Sequence, residues 1–155
     1  MIDCVYYNDV IRCYRDGRVE RWFKRKGWII VENTDNSNGY NQFSIGNKLV
    51  RRHRLLAFCF LGLENIVGKS GGNDIIDHKD RNTLNNAVNN LRITTQQGNA
   101  QNTDCKGYSL DKERGKFEAN IGLNGKKIHL GFYMTAEEAR QAYLDGKIKY
   151  HLLLP

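Results

Sequence analysis

The chain has a single proline, Pro155, so no proline-rich linker divides it. It contains no apolar run of about 18 residues, which excludes a membrane-spanning helix. The first residues, Met1-Ile2-Asp3-Cys4-Val5-Tyr6-Tyr7-Asn8, lack a basic stretch followed by an apolar one. That absence predicts an intracellular protein, in cytoplasm or nucleus, rather than a secreted one. The four cysteines, at positions 4, 13, 59 and 105, are never two to four residues apart, so the paired spacing of a structural zinc site is missing. Free thiols and no structural zinc are therefore expected. No aromatic stacking signature of an RNA-binding RRM or OB-fold is evident either.

What is present is charge of one sign. The chain carries 24 Lys and Arg against 17 Asp and Glu, a net +7 over 155 residues, which makes a polyanion the simplest partner. The excess is uneven. Residues 1–70 carry +5, residues 71–104 carry −1 and residues 105–155 carry +3. The near-neutral centre is rich in amides: Asn82, Asn85, Asn86, Asn89, Asn90, Asn99 and Asn102. Two basic arms around a polar centre suggest a site held against a polyanion.

An α+β fold is expected. Asp16-Gly17 reads as a two-residue hairpin turn between strands 10–14 and 19–23, with further strands at 28–32 and 42–45 in a β-rich region 1–50. The apolar stretch after Arg51-Arg52-His53-Arg54 predicts a buried helix over 52–63 with a basic start. Arg51, Arg52 and Arg54 are candidate phosphate contacts there. Strand 75–79, a polar loop, strand 91–95 and a short helix over 96–102 follow.

Hydrolysis of a phosphodiester needs a base for water and a hard cation for the charge on phosphate and leaving oxygen. Mg²⁺ takes oxygen ligands and needs only one or two protein groups. Successive strand residues face opposite ways, so Asp77 and His78 suit different tasks, one on an ion and one on water.

The string Ile76-Asp77-His78-Lys79-Asp80-Arg81-Asn82, followed by Asn85-Asn86 and by Asn90-Leu91-Arg92-Ile93-Thr94-Thr95-Gln96-Gln97-Gly98-Asn99, resembles the HNH homing endonucleases of the ββα-metal class, in their phage and large-virus form. The upstream His53-Arg54-Leu55-Leu56-Ala57-Phe58-Cys59-Phe60 resembles the helix that often precedes that motif. The resemblance implies His78 as general base and Asp77 and Asn99 as ligands of one divalent ion, Mg²⁺ or Mn²⁺. It makes Asn90 the residue that holds the loop and orients His78 through its backbone. Arg92 is a candidate phosphate contact, and His53 reads as structural. Products with 5′-phosphate and 3′-hydroxyl ends are implied.

At the C-terminal end, Asn124-Gly125 is a strong hairpin signal. With that turn, Leu123 opposes Lys126, Ile121 opposes Ile128, Ala119 opposes Leu130 and Phe117 opposes Phe132, giving one apolar face. The other face would carry Lys116, Glu118, Asn120, Lys127, His129 and Tyr133. A strand around 107–110 completes the sheet, and Thr135-Ala136-Glu137-Glu138 is a capping box opening a helix. Lys106-Gly107-Tyr108, Lys116-Phe117-Glu118-Ala119, His129-Leu130-Gly131-Phe132-Tyr133 and Thr135-Ala136-Glu137-Glu138-Ala139 resemble the AP2 DNA-binding domain. That family often has Trp where this chain has Phe117. The resemblance implies DNA contact by the polar sheet face, with Arg114, Lys116, Lys127 and His129 as candidates.

The reading is a nuclease domain over 1–104 (with the ββα-metal motif at 75–102) and an AP2-like domain over 105–155. Double-stranded DNA is the expected partner, with no membrane. The alternative is a catalytically inactive AP2-type regulator. One HNH site per chain predicts a monomer or a weak homodimer that cuts one strand unless a second copy engages.

Overall fold

The computed structural model describes residues 1–6, 8–32, 34–35, 39–66 and 74–151, with residues 34 and 35 as backbone only. The fold is α+β. Its strands are β1 (Ile2–Tyr6), β2 (Asp9–Cys13), β3 (Val19–Phe23), β4 (Gly27–Ile30), β5 (Thr34–Asp35), β6 (Asn41–Ile45) and β7 (Lys48–Arg51). Helix α1 (Arg52–Leu61) follows, then β8 (Ile75–His78), β9 (Leu91–Thr94), α2 (Gln96–Gln101), β10 (Tyr108–Asp111), β11 (Lys116–Leu123), β12 (Lys126–Tyr133) and α3 (Ala136–Tyr150). The chain divides into two compact units, Met1–Asn99 and Ala100–Pro155. No helix is long and apolar enough to cross a membrane among the described residues.

The first unit stacks small antiparallel sheets, β1-β2-β3-β4, β5-β6-β7 and the pair β8-β9, around α1. Alternation drives this: Ile11 and Cys13 on β2, and Phe43 and Ile45 on β6, all point into one core with Leu55 and Leu56 of α1. β1 pairs with β2 and presents mostly exposed residues, so no apolar periodicity marks it in the sequence. Helix α1 ends at Gly62 in a left-handed conformation, φ +79°, which glycine adopts without strain.

One turn differs from the sequence expectation. Tyr14 N–H donates to Arg18 C=O over 2.9 Å, so the β2–β3 connection is the three-residue loop Arg15-Asp16-Gly17 rather than a two-residue turn on Asp16-Gly17. Asp16 instead caps Arg18 N–H from its side chain at 2.9 Å. Gly17 sits at φ +95°, and a Cβ there would lie 2.9 Å from the backbone carbon of Asn86. Backbone packing of this turn on the loop before β9, with Val88 N–H bonded to Arg15 C=O at 2.8 Å, makes glycine obligatory.

The second unit is the sheet β10-β11-β12 under α3. Thr135 accepts from Glu138 N–H while Glu138 accepts from the backbone N–H of Thr135, the reciprocal cap read from the sequence. Gly146 lets the helix approach: a Cβ there would lie 2.9 Å from Leu130.

The expected hairpin register holds only near the turn. Leu123 opposes Lys126 and Ile121 opposes Ile128, but a β-bulge at Ala119/Asn120 follows. Leu130 is the extra residue, so Ala119 opposes Gly131, Glu118 opposes Phe132 and Phe117 opposes Tyr133. An extra residue reverses the alternation beyond it. Phe132 is thereby turned onto the polar face, 39% exposed, while Tyr133 moves to the face of Phe117.

The cysteines also depart from expectation. The departure is their placement and not their state: all four are free thiols, and Cys4, Cys13 and Cys59 bring their sulfurs within 4.8 Å of one another. Spacing along the chain excludes only ligands paired locally; β1, β2 and α1 meet in the fold and carry these three together.

Candidate active site

Residues 74–101 form a two-stranded antiparallel pair followed by a helix. Asp77 opposes Arg92 and His78 opposes Leu91 across β8 and β9. Neighbouring side chains on a strand diverge, and these two do. Asp77 meets Arg92, whose Nε and Nη2 donate to Oδ2 at 2.9 and 2.7 Å. His78 points toward α1, with its ring 5.2 Å from that of His53 at an 80° edge-on angle and 6.2 Å from Tyr40. Both Asp77 and His78 are buried.

The loop between the strands is built from its own amides. Asn90 Nδ2 donates to Asp80 Oδ1 and to Asn85 C=O, both at 2.8 Å, and its Oδ1 accepts from Asp80 N–H at 3.0 Å. Asn90 C=O also accepts from Lys79 N–H at 2.8 Å. Asn90 thus clamps the loop onto the residues just after His78. The Asn-rich composition has a local cause, since Asx side chains close turns through backbone N–H groups.

Asn86, one amide among several in the sequence, defines the imidazole. Its Nδ2 donates to Leu84 C=O at 3.0 Å, so Oδ1 is the atom facing His78 Nε2, at 3.3 Å. An amide oxygen only accepts, so Nε2 carries the proton and the lone pair lies on Nδ1. Burial lowers the His78 pKa below the usual histidine value, with the Asn86 contact partly opposing it. Neutral imidazole is therefore the form at neutral pH.

His53 lies behind His78, 4% exposed, and burial pushes its pKa down to about 3, helped by the neighbouring His78, Arg51 and Arg54. Its Nδ1 has no hydrogen-bond partner among the described residues. Tyr40 packs on the same ring at 5.1 Å and also receives the Arg51 guanidinium at 5.0 Å. Sequence reasoning missed Tyr40 and Asn86 because their partners are distant in the chain or hidden in an amide-rich run.

Two expected phosphate contacts are corrected. Arg52 and Arg54 are buried, at 4% and 7% exposure. Arg52 donates to the carbonyls of Gly17 and Val31, and Arg54 to those of Asn65, Ile66 and Asp74. Guanidinium groups that satisfy buried carbonyls tie loops to α1 and offer no basic surface. Arg51 is half-buried and Asn99 is exposed on α2.

On the second unit's polar face, Glu118 is the hub. Lys127 Nζ lies 3.7 Å and His129 Nδ1 3.2 Å from its carboxylate. Arg114 pairs with Asp111 at 2.7 Å and lies 5.0 Å from the Phe132 ring, which packs on His129 at 4.8 Å. Lys116 is exposed at the start of β11.

Residues 63–101 match the model of a family described as HNH endonuclease. The match takes in Asp77, His78, Asn90 and Asn99, so this segment is similar to that family. A solved structure of the HNH homing endonuclease I-HmuI, described as binding and cleaving DNA, is 23% identical, covering 91% of this chain and 81% of that one with a TM-score of 0.45. No curated protein matches the chain. A groove of about 670 Å³ is lined by Arg15, Asp16, Lys79 and Ala87–Asn89, and Asp77 and His78 do not line it.

The HNH family that this segment is similar to implies a divalent ion. The donors on hand suit a hard one: Asp77 offers a carboxylate and Asn99 an amide oxygen, the chemistry Mg²⁺ and Mn²⁺ take.

Proposed function

We propose that the protein is a metal-dependent DNA endonuclease of the homing type, with His78 as general base. The observation that carries this reading is the tautomer imposed by Asn86, which leaves a neutral imidazole with its basic lone pair on Nδ1. His78 takes a proton from water there, and the resulting hydroxide attacks phosphorus. The P–O3′ bond breaks and the departing oxygen takes a proton from solvent, leaving a 5′-phosphate and a 3′-hydroxyl. Asn90 holds the loop so that His78 does not drift, and His53 and Tyr40 pack its ring. Asp77 and Asn99 would hold the divalent ion, which when bound supplies charge neutralisation on the scissile phosphate and leaving oxygen. Arg51 and the second unit's AP2-like sheet face, with Arg114, Lys116, Lys127 and His129, bind the duplex.

The test is cleavage of DNA in Mg²⁺ or Mn²⁺ with end-mapping, beside a binding assay. His78→Ala should abolish cleavage and leave DNA affinity nearly unchanged, because the base acts in the chemical step. Lost affinity with undiminished cleavage per bound complex would falsify the assignment. One observation favours the second reading, a DNA-binding regulator without activity: Arg92 already occupies Asp77 Oδ2. Wild-type protein that binds DNA but never cuts it, with any divalent ion, decides for that reading.

A further inference from the structure

Three sulfurs from three separate elements surround one point in the first unit. Cys4 on β1 opposes Ile11, and Cys13 on β2 opposes Ile2, so the two cysteines are diagonal neighbours across one ladder. Cys59 reaches them from α1. Its Sγ lies 3.7 Å from that of Cys4, and all three lie within 4.8 Å of one another. Cys13 is fully buried, whereas Cys4 and Cys59 are half-buried.

These separations fit a metal better than a cross-link. A zinc–sulfur bond of about 2.3 Å in a tetrahedron sets neighbouring sulfurs about 3.8 Å apart, close to the Cys4–Cys59 distance. A disulfide joins two sulfurs at about 2 Å and leaves the third thiol stranded in the same cluster. The charge is also matched. Three thiolates and one Zn²⁺ sum to a single negative charge, and the buried Arg52 guanidinium acts electrostatically on Cys13. Arg52 Nε has no hydrogen-bond partner among the described residues, although its other nitrogens are bound to carbonyls.

We propose that Cys4, Cys13 and Cys59 form a thiolate site for one zinc ion, with water in the fourth position on the side where Cys4 and Cys59 are accessible. Binding releases the thiol protons to solvent and ties the β1–β2 hairpin to α1. Soft sulfur donors keep this site distinct from the hard oxygens of Asp77 and Asn99, so the two would hold ions of different class. Because α1 also carries His53, which packs on His78, the zinc would fix the helix behind the base.

Native mass spectrometry of the full chain, reduced, loaded with zinc sulfate and desalted without chelator, should show a single retained zinc ion. Cobalt titration should produce sulfur-to-metal charge-transfer absorption that zinc abolishes and excess Mg²⁺ does not. Cys4→Ser and Cys59→Ser should lose the retained ion, and Cys105→Ser should keep it. Should both serine variants misfold, the cobalt spectrum of the wild-type chain decides alone. An apo mass in excess zinc together with cobalt spectra lacking the thiolate band overturns the proposal. So does a Cys4–Cys59 disulfide in air-exposed protein whose reduced form takes up no zinc.

Discussion

Asn86 holds His78 in one tautomer: Nε2 of the imidazole donates to the amide oxygen over 3.3 Å, while the amide nitrogen is anchored on Leu84 C=O. The contact joins a loop residue to a strand residue eight positions earlier, and the glycine turn at Gly17 packs directly on the Asn86 backbone.

Replacing Asn86 with alanine leaves the Nε2–H of a buried imidazole unpaired, at a cost of about 1–3 kcal/mol. If that cost falls on the orientation of the base, single-turnover cleavage should drop about 10- to 100-fold with DNA affinity unchanged. Equal loss of binding and cleavage would show that Asn86 supports the fold rather than the base.

Arg92 neutralises the buried carboxylate of Asp77. Arg92→Ala should therefore destabilise the metal-free protein by on the order of 3 kcal/mol, the cost of an uncompensated buried charge. Mg²⁺ should raise the Tm of this variant more than that of wild type, since a cation at Asp77 replaces the lost guanidinium. An identical Mg²⁺ response in both proteins would argue against a cation at Asp77.

His53 contributes pH dependence to stability. Its pKa falls from an ordinary histidine value near 6.5 in the unfolded chain to about 3 when folded, because burial disfavours the cation. Between those values the unfolded state binds the extra proton, so stability rises with pH. Its contribution is complete above about pH 6.5 and declines by up to about 1.4 kcal/mol per pH unit on acidification. Urea denaturation at about pH 7 and about pH 5 should show a smaller difference for His53→Phe than for wild type. His78, Arg51, Arg54 and Tyr40 face this ring and are common to both proteins, so the comparison isolates His53.

The bulge gives the second unit a mixed aromatic and basic face. Phe132→Ser should keep the thermal stability of the chain, because the ring is exposed, and weaken DNA binding. Lys116→Ala should lower affinity for all sequences alike and reduce the salt slope by about 0.9. DNA binding unaffected by both changes would remove this face from the interface.

Much of this was legible because it depends on neighbours in the chain. The capping box at Thr135 and Glu138, the helix after Arg51 and the strand–loop–strand–helix order around Asp77 and His78 all follow from local spacing and side-chain chemistry. The bulge at Leu130 was not, because alternation alone reads straight through it. Burial of Arg52 and Arg54 was not legible either. A basic run looks the same whether its guanidinium groups face water or cap the carbonyls of distant loops.

By itself, the sequence determined the α+β class, the uneven charge, the HNH string and the residue types at its centre, since each rests on contacts a few residues apart. Only the tertiary structure decided which nitrogen of His78 is basic, which arginines are buried, which side of the sheet Phe132 occupies, and that Cys4, Cys13 and Cys59 share one place. Those outcomes depend on hydrogen bonds, burial and packing between segments that meet only when the chain is folded.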